Sequence, residues 1–174
     1  MNNFFKFQLN TKVISGVNST LDHLPQLLDD NKFKSILILV DEGVYNHSDY
    51  YKQMVNSLQK REYSVETIIL RGNEEPDYTY VDEVATEVRK KSLIDVIIGI
   101  GGGSTMDVAK AAAALAKNPG KAIIYRGFDQ LTIPNIPTVE FTASLAVLMI
   151  ANLISPCKTL FGIVTKLDKF ITKL

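Results

Sequence analysis

Residues 94–110 read Ile-Asp-Val-Ile-Ile-Gly-Ile-Gly-Gly-Gly-Ser-Thr-Met-Asp-Val-Ala-Lys and hold the residue types best suited to chemistry in this chain. An apolar run over 96–100 meets Gly101, Gly102 and Gly103, then Ser104 and an alanine-rich helical pattern. Glycines at a strand-to-helix turn remove the Cβ atoms that would hold a ligand away from the backbone. The helix that follows offers unpaired amides and the positive end of its dipole. Such a turn suits a phosphate-bearing anion, above all a dinucleotide pyrophosphate held by backbone N–H groups, with Ser104 adding a hydroxyl. A tight packing turn with Ser104 as helix N-cap accounts for the same residues. The run is neither a full G-x-G-x-x-G fingerprint nor a P-loop, because the last glycine position falls on Ser104 or Met106 and no G-K-[S/T] follows.

Two acids extend this site. Asp107 lies three residues beyond Ser104, a capping-box-like spacing, and either complements the helix dipole or supports the ligand. Asp41 directly follows an apolar run over 34–40. An acid in that place accepts hydrogen bonds from an adenosine ribose and repels a 2′-phosphate. It is equally a loop aspartate forming a turn with Gly43.

The elements that must position these residues follow from periodicity. Apolar runs predict buried strands over 34–40 and 95–100, a further strand is expected over 64–70, and helices are expected over 46–63, 79–91 and 104–117. A helix over 20–28 is expected with Ser19 as N-cap and Pro25 near its first turn or interrupting it. Residues 3–16 read as a short strand or hairpin, and 122–125 and 134–136 as short strands. Strands alternating with helices predict an α/β fold: a Rossmann-like parallel sheet with helices on both faces. Right-handed crossovers bring the strand ends near 40, 70 and 100 to one edge, where such sheets bind ligands.

Composition narrows the class. The 174 residues carry 19 basic and 19 acidic side chains, so no nucleic-acid or anionic-membrane footprint is expected. The lone cysteine, Cys157, fits a reducing compartment, and the first residues lack a signal-peptide pattern, so a cytoplasmic protein is expected. His23 and His47 share no ligand spacing, and no His-rich metal site is expected in this chain. Residues 141–157 carry no charge but are short and diluted by polar residues for a membrane span. A buried element, or an apolar patch that drives homo-oligomerisation or association, is the expectation there.

Gly101-Gly102-Gly103-Ser104-Thr105-Met106-Asp107-Val108-Ala109-Lys110 resembles the cofactor-binding signature of the iron-containing (group III) alcohol dehydrogenases. Residues 38–44, 72–76 and 136–138 resemble further stretches of that family in the same order. The resemblance implies a dinucleotide-binding domain over 1–138, followed by a degenerate remainder over 139–174 leading toward an absent all-helical metal domain. It implies NAD rather than NADP as cofactor, with Asp41, Gly101, Gly102, Gly103, Ser104, Asp107 and Thr138 in the cofactor site. A divalent metal, iron or zinc, serves the intact family, and its ligands fall outside this chain. The family pattern after Ile-Pro-Thr contains Gly-Thr-Gly-Ser-Glu or close to it, whereas Val139-Glu140-Phe141-Thr142-Ala143-Ser144 stands here. Tyr125-Arg126-Gly127-Phe128-Asp129 resembles the Tyr-x-Gly-Trp-Asp region of the 3-deoxy-manno-octulosonate 8-oxidase branch, which implies a sugar-acid substrate. The implied function is the dinucleotide half of a metal-dependent alcohol dehydrogenase, truncated and inactive alone. A stand-alone nucleotide-binding or regulatory module, and a non-functional fragment, are the alternatives.

Overall fold

A computed structural model describes residues 12–15, 18–72, 75–125, 136–142 and 147–151. The elements run β1 (Lys12–Ser15), α1 (Ser19–Asp30), β2 (Ser35–Asp41), α2 (Glu42–His47), α3 (Asp49–Lys60) and β3 (Ser64–Leu70). They continue through α4 (Tyr78–Arg89), β4 (Val96–Gly101), α5 (Gly103–Lys117), a 3₁₀ turn (Ala122–Tyr125), β5 (Thr138–Thr142) and β6 (Val147–Ala151).

The six strands form one sheet in the order β1-β6-β5-β4-β2-β3. β3, β2, β4 and β5 are parallel, and β6 and β1 add an antiparallel margin. The central strands β2 and β4 are buried on both faces because both faces are covered, whereas the edge strand β3 is mostly exposed or half-buried. On β2, Leu37 and Leu39 pack with α4 and α5, while Ile36, Ile38 and Val40 pack with α1 and α3. Alternate residues of one strand therefore anchor two helical layers. The fold is α/β and Rossmann-like.

This topology decides where a ligand can sit. The chain leaves β2 toward β3 on one side, returns through α4, and leaves β4 toward β5 on the other side. β2 and β4 are thus adjacent strands whose crossovers diverge, and a crevice opens beyond their carboxyl ends. Asp41 ends β2 and Gly101 ends β4.

Several expectations from sequence are corrected. The helix foreseen over 46–63 is two helices, because Ser48 leaves helical geometry and caps α3 by accepting from Tyr51 N. The apolar stretch 122–125 is a 3₁₀ turn, too short to be told from a strand by periodicity alone. The cap of α1 is Asn18, in the left-handed region at φ 58°, and Ser19 is the first helical residue. Pro25 lies inside α1 without ending it; Leu24 and Leu28 beside it are fully buried and hold the helix to the sheet. Of the hairpin foreseen over 3–16, residues 12–15 form β1, and 3–11 and 16 lie outside the described residues. Residue 136 precedes β5 rather than ending a strand, and 134–135 lie outside the described residues. The sheet itself runs on past residue 138 through β5 and β6.

The helix that carries the glycine turn is held from its far end. Ala109 and Ala111–Ala114 are buried, and their small side chains let α5 lie close to α4 and the sheet. Arg89, the last residue of α4, donates from Nε and Nη2 to Leu115 O at 3.0 and 2.7 Å. The same Nη2 reaches Asn118 O at 3.1 Å and Gly120 O at 3.2 Å. A fixed cation there satisfies the orphan carbonyls at the α5 terminus and complements its dipole. Arg89→Ala is therefore expected to cost about 1–2 kcal/mol, the net worth of one or two charge-assisted hydrogen bonds. A lowered urea midpoint with an unchanged slope checks this; an unchanged midpoint refutes it.

Candidate functional site

Asp41, Leu70 and Gly101 bring three strand ends to one edge of the sheet. The register pairs Asp41 with Leu70, and Val40 with both Ile69 and Ile100. Asp41 is the N-cap of α2: its Oδ1 accepts from Gly43 N at 2.9 Å and Val44 N at 3.3 Å. The turn with Gly43 expected from sequence is thus present, as a helix cap. Oδ2 takes no part in the cap and lies toward Gly72, where an added Cβ would stand 3.3 Å away.

The three glycines do different things. Gly101 is buried, and a Cβ on it would meet Thr105 Oγ1 at 2.5 Å, Thr105 Cβ at 2.8 Å and Asp41 Cβ at 2.9 Å. The chain's own packing demands glycine there. Gly102 and Gly103 are exposed, and among the described residues a Cβ on either would meet nothing within 4 Å. Gly102 has φ −80° and ψ −175°, extended geometry open to any residue. Neither packing nor backbone conformation in this chain requires a glycine at Gly102.

Gly102 caps α5 and has no side-chain hydrogen bond to the first-turn amides. In α2, α3 and α4 the cap side chain does that work, from Asp41, Ser48 and Asp77 respectively. Among the described residues α5, like α1, has no side-chain cap at its amino end, and Ser104 is exposed in its first turn. Ser104 is therefore not the N-cap, which is Gly102. Asp107 falls past the first turn and accepts from Lys110 Nζ at 3.4 Å, both half-buried. The structure brings Asp41, Gly101, Gly102, Gly103 and Ser104 together and places Asp107 one turn along the helix behind them.

Thr138 is not brought to this edge. It opens β5 and pairs with Ile97 near the start of β4, while Gly101 pairs with Thr142. Four residues of extended strand separate the two ends by about 13 Å. Thr138 is buried, and among the described residues its hydroxyl has no hydrogen-bond partner. The site-side position on β5 belongs to Thr142.

Sequence reading passed over Arg71 and Tyr80. Arg71 N donates to Tyr80 Oη at 2.8 Å, and the guanidinium stands 4.9 Å from the Tyr80 ring centroid. Arg71 Nη2 also bonds Glu83 Oε2 at 2.8 Å. Burial pushes the Tyr80 phenol up, opposed by the Arg71 amide and charge, with Glu83 and Asp41 adding to the rise. The clue available in sequence was an arginine just past a strand end, one residue before Gly72. Gly72, in one of the stretches that resemble the family, stands beside Asp41; 73–74 lie outside the described residues. In the sugar-acid motif, Tyr125 is buried and donates from its hydroxyl to Pro119 O, and 126–129 lie outside the described residues.

Residues 10–150 match the iron-containing alcohol dehydrogenase family model. The chain belongs to that family. Alcohol dehydrogenase 4 of Schizosaccharomyces pombe is 34% identical over 113 residues, 64% of this chain and 26% of the relative. NAD-dependent methanol dehydrogenase of Bacillus methanolicus is 34% identical over 77 residues, 44% of this chain and 20% of the relative. The crystal structure of NADH-dependent butanol dehydrogenase A from Thermotoga maritima superposes with a TM-score of 0.65 at 26% identity, over 80% of this chain and 34% of that one. The chain thus spans about a third or less of the length of these relatives. Among the described residues no three His, Cys, Asp or Glu side chains gather as a metal site would require, with His23 in α1 and His47 ending α2. Among the described residues no helix is long and apolar enough to cross a membrane.

The unequal roles of the glycines are testable without any ligand. Gly101→Ala is expected to destabilise the chain by about 1–3 kcal/mol through overpacking against Thr105 and Asp41. Gly102→Ala is expected to stay within about 1 kcal/mol, the scale of glycine and cap effects. Chemical denaturation of the two variants side by side measures both. Equal losses would mean that Gly102 too is held by the fold.

Proposed function

We propose that this chain supplies the NAD-binding half of a metal-dependent alcohol dehydrogenase. The observation that supports it most is the cleared space at Gly102 and Gly103, in front of the uncapped α5 and beside Asp41. A dinucleotide fits that arrangement. Its pyrophosphate would take the first-turn amides of α5 and the Ser104 hydroxyl. Its adenosine ribose would lie toward Asp41, whose Oδ2 remains an acceptor and whose charge disfavours a 2′-phosphate. Two of the relatives named above are designated NAD- or NADH-dependent, which supports NAD over NADP.

When bound, NAD supplies the hydride acceptor at C4 of its nicotinamide. The residues of this chain hold and orient it; they do not activate an alcohol. Alcohol activation is assigned to metal ligands other than the described residues, which form no such cluster. We propose that residues 1–174 bind the dinucleotide and, taken alone, do not oxidise an alcohol. The relatives named for simple alcohols favour an alcohol as the whole protein's substrate. The inward turn of the Tyr125 hydroxyl gives the sugar-acid reading no direct support.

Thermal unfolding with and without millimolar NAD tests the proposal. Binding to the folded state alone stabilises by about 2.7 kcal/mol at a hundredfold excess over Kd, an upward shift of several degrees for a chain of this size. The shift is expected to vanish in Gly102→Val, whose side chain fills the cleared space, while that variant's own midpoint stays near the parent's. No shift with the parent chain would overturn the reading.

A further inference from the structure

We infer that Arg71 sets how far this site tolerates a phosphate on the adenosine ribose, and that Glu83 holds that cation in check. The inference rests on the dinucleotide reading above and deepens it. Asp41 and Leu70 are register partners, so Arg71 is the next residue beyond Asp41 on the neighbouring strand. Gly72 follows it and faces the Asp41 carboxylate, with 3.3 Å between an added Cβ and Oδ2. The ribose subsite is therefore flanked by an anion on β2 and a cation at the end of β3.

The cation is placed rather than loose. The Arg71 amide is tied to the Tyr80 hydroxyl at 2.8 Å, and the guanidinium lies over the same ring. Its Nη2 is engaged by Glu83 at 2.8 Å. A guanidinium has five donors in a planar fork that matches phosphate oxygens in pairs. The Glu83 contact is an exposed ion pair, with 64% and 52% of the two side chains accessible. Such pairs are weak and screened by salt, so a dianionic phosphate arriving beside them competes well for the arginine. Asp41 opposes a 2′-phosphate and Arg71 attracts it. Selectivity is then a balance between two neighbouring side chains, with NADP bound more weakly than NAD but not excluded.

Calorimetric titration of the full chain with NAD and with NADP, at low and moderate salt, tests this. Arg71→Ala is expected to weaken NADP by about tenfold, the loss of one charge-assisted contact, and to leave NAD within about twofold. Arg71→Lys is expected to retain part of the NADP affinity, since it keeps the charge without the fork. Glu83→Gln is expected to strengthen NADP by about threefold at low salt, with little effect on NAD. Asp41→Asn keeps an acceptor for the α2 cap and is expected to improve NADP, a gain that Arg71→Ala in the same background removes. Equal effects of Arg71→Ala on both dinucleotides, or none on either, overturn the inference while leaving the dinucleotide site standing. Failure of the parent chain to bind NAD overturns the dinucleotide reading, and this inference with it.

Discussion

The site depends on one exclusion: nothing larger than hydrogen can stand on the Cα of Gly101. Thr105 fills the space from α5 and Asp41 fills it from β2, both closer to an added Cβ than real Cβ atoms come. This contact locks the end of β4 against the end of β2 and sets the angle at which α5 leaves the sheet. Asp41 then does a second task, holding the first amides of α2 through Oδ1. One aspartate and one glycine thus tie together two strands and two helices at the point where the crossovers diverge.

The far end of α5 completes the mechanical argument. Arg89 gathers carbonyls of Leu115, Asn118 and Gly120, so the helix is clamped where its dipole is negative. Among the described residues its positive end has no side-chain cap. A helix fixed at one end and bare at the other keeps its free amides in place without consuming them. That suits an anion site better than a helix whose amides must first release their own cap.

Much of this architecture was legible in the sequence, and for identifiable reasons. Residues 36–40 and 96–100 carry no polar side chain because β2 and β4 are covered on both faces, so their runs are unbroken. The glycine turn stood out because its composition is rare. The break at Ser48 was hidden because helical spacing continues across it from α2 into α3. The antiparallel margin was hidden because β1 and β6 are joined across most of the chain, and an uncharged run such as 147–151 does not reveal its partner. Thr138 was misplaced by a different fault. Ile-Pro-Thr is a local pattern, whereas proximity to Gly101 is fixed by the β4–β5 register, which selects Thr142.

Asp41 shows why residue type alone reads a cofactor site incompletely. From sequence it is an acid after a strand, and its charge points to NAD. In the structure one carboxylate oxygen is committed to the α2 cap and the other to the cleft beside Gly72. Any substitution there mixes the stability of α2 with the chemistry of the ribose subsite, so the residue is poorly placed to tune selectivity by itself. Arg71 carries no such burden: its guanidinium contacts are an exposed carboxylate and a ring face. Changes at Arg71 or Glu83 can move the local potential without touching the joint at Gly101. A scaffold of this kind can hold its pyrophosphate cradle constant while its preference at the ribose drifts, because the two depend on different contacts.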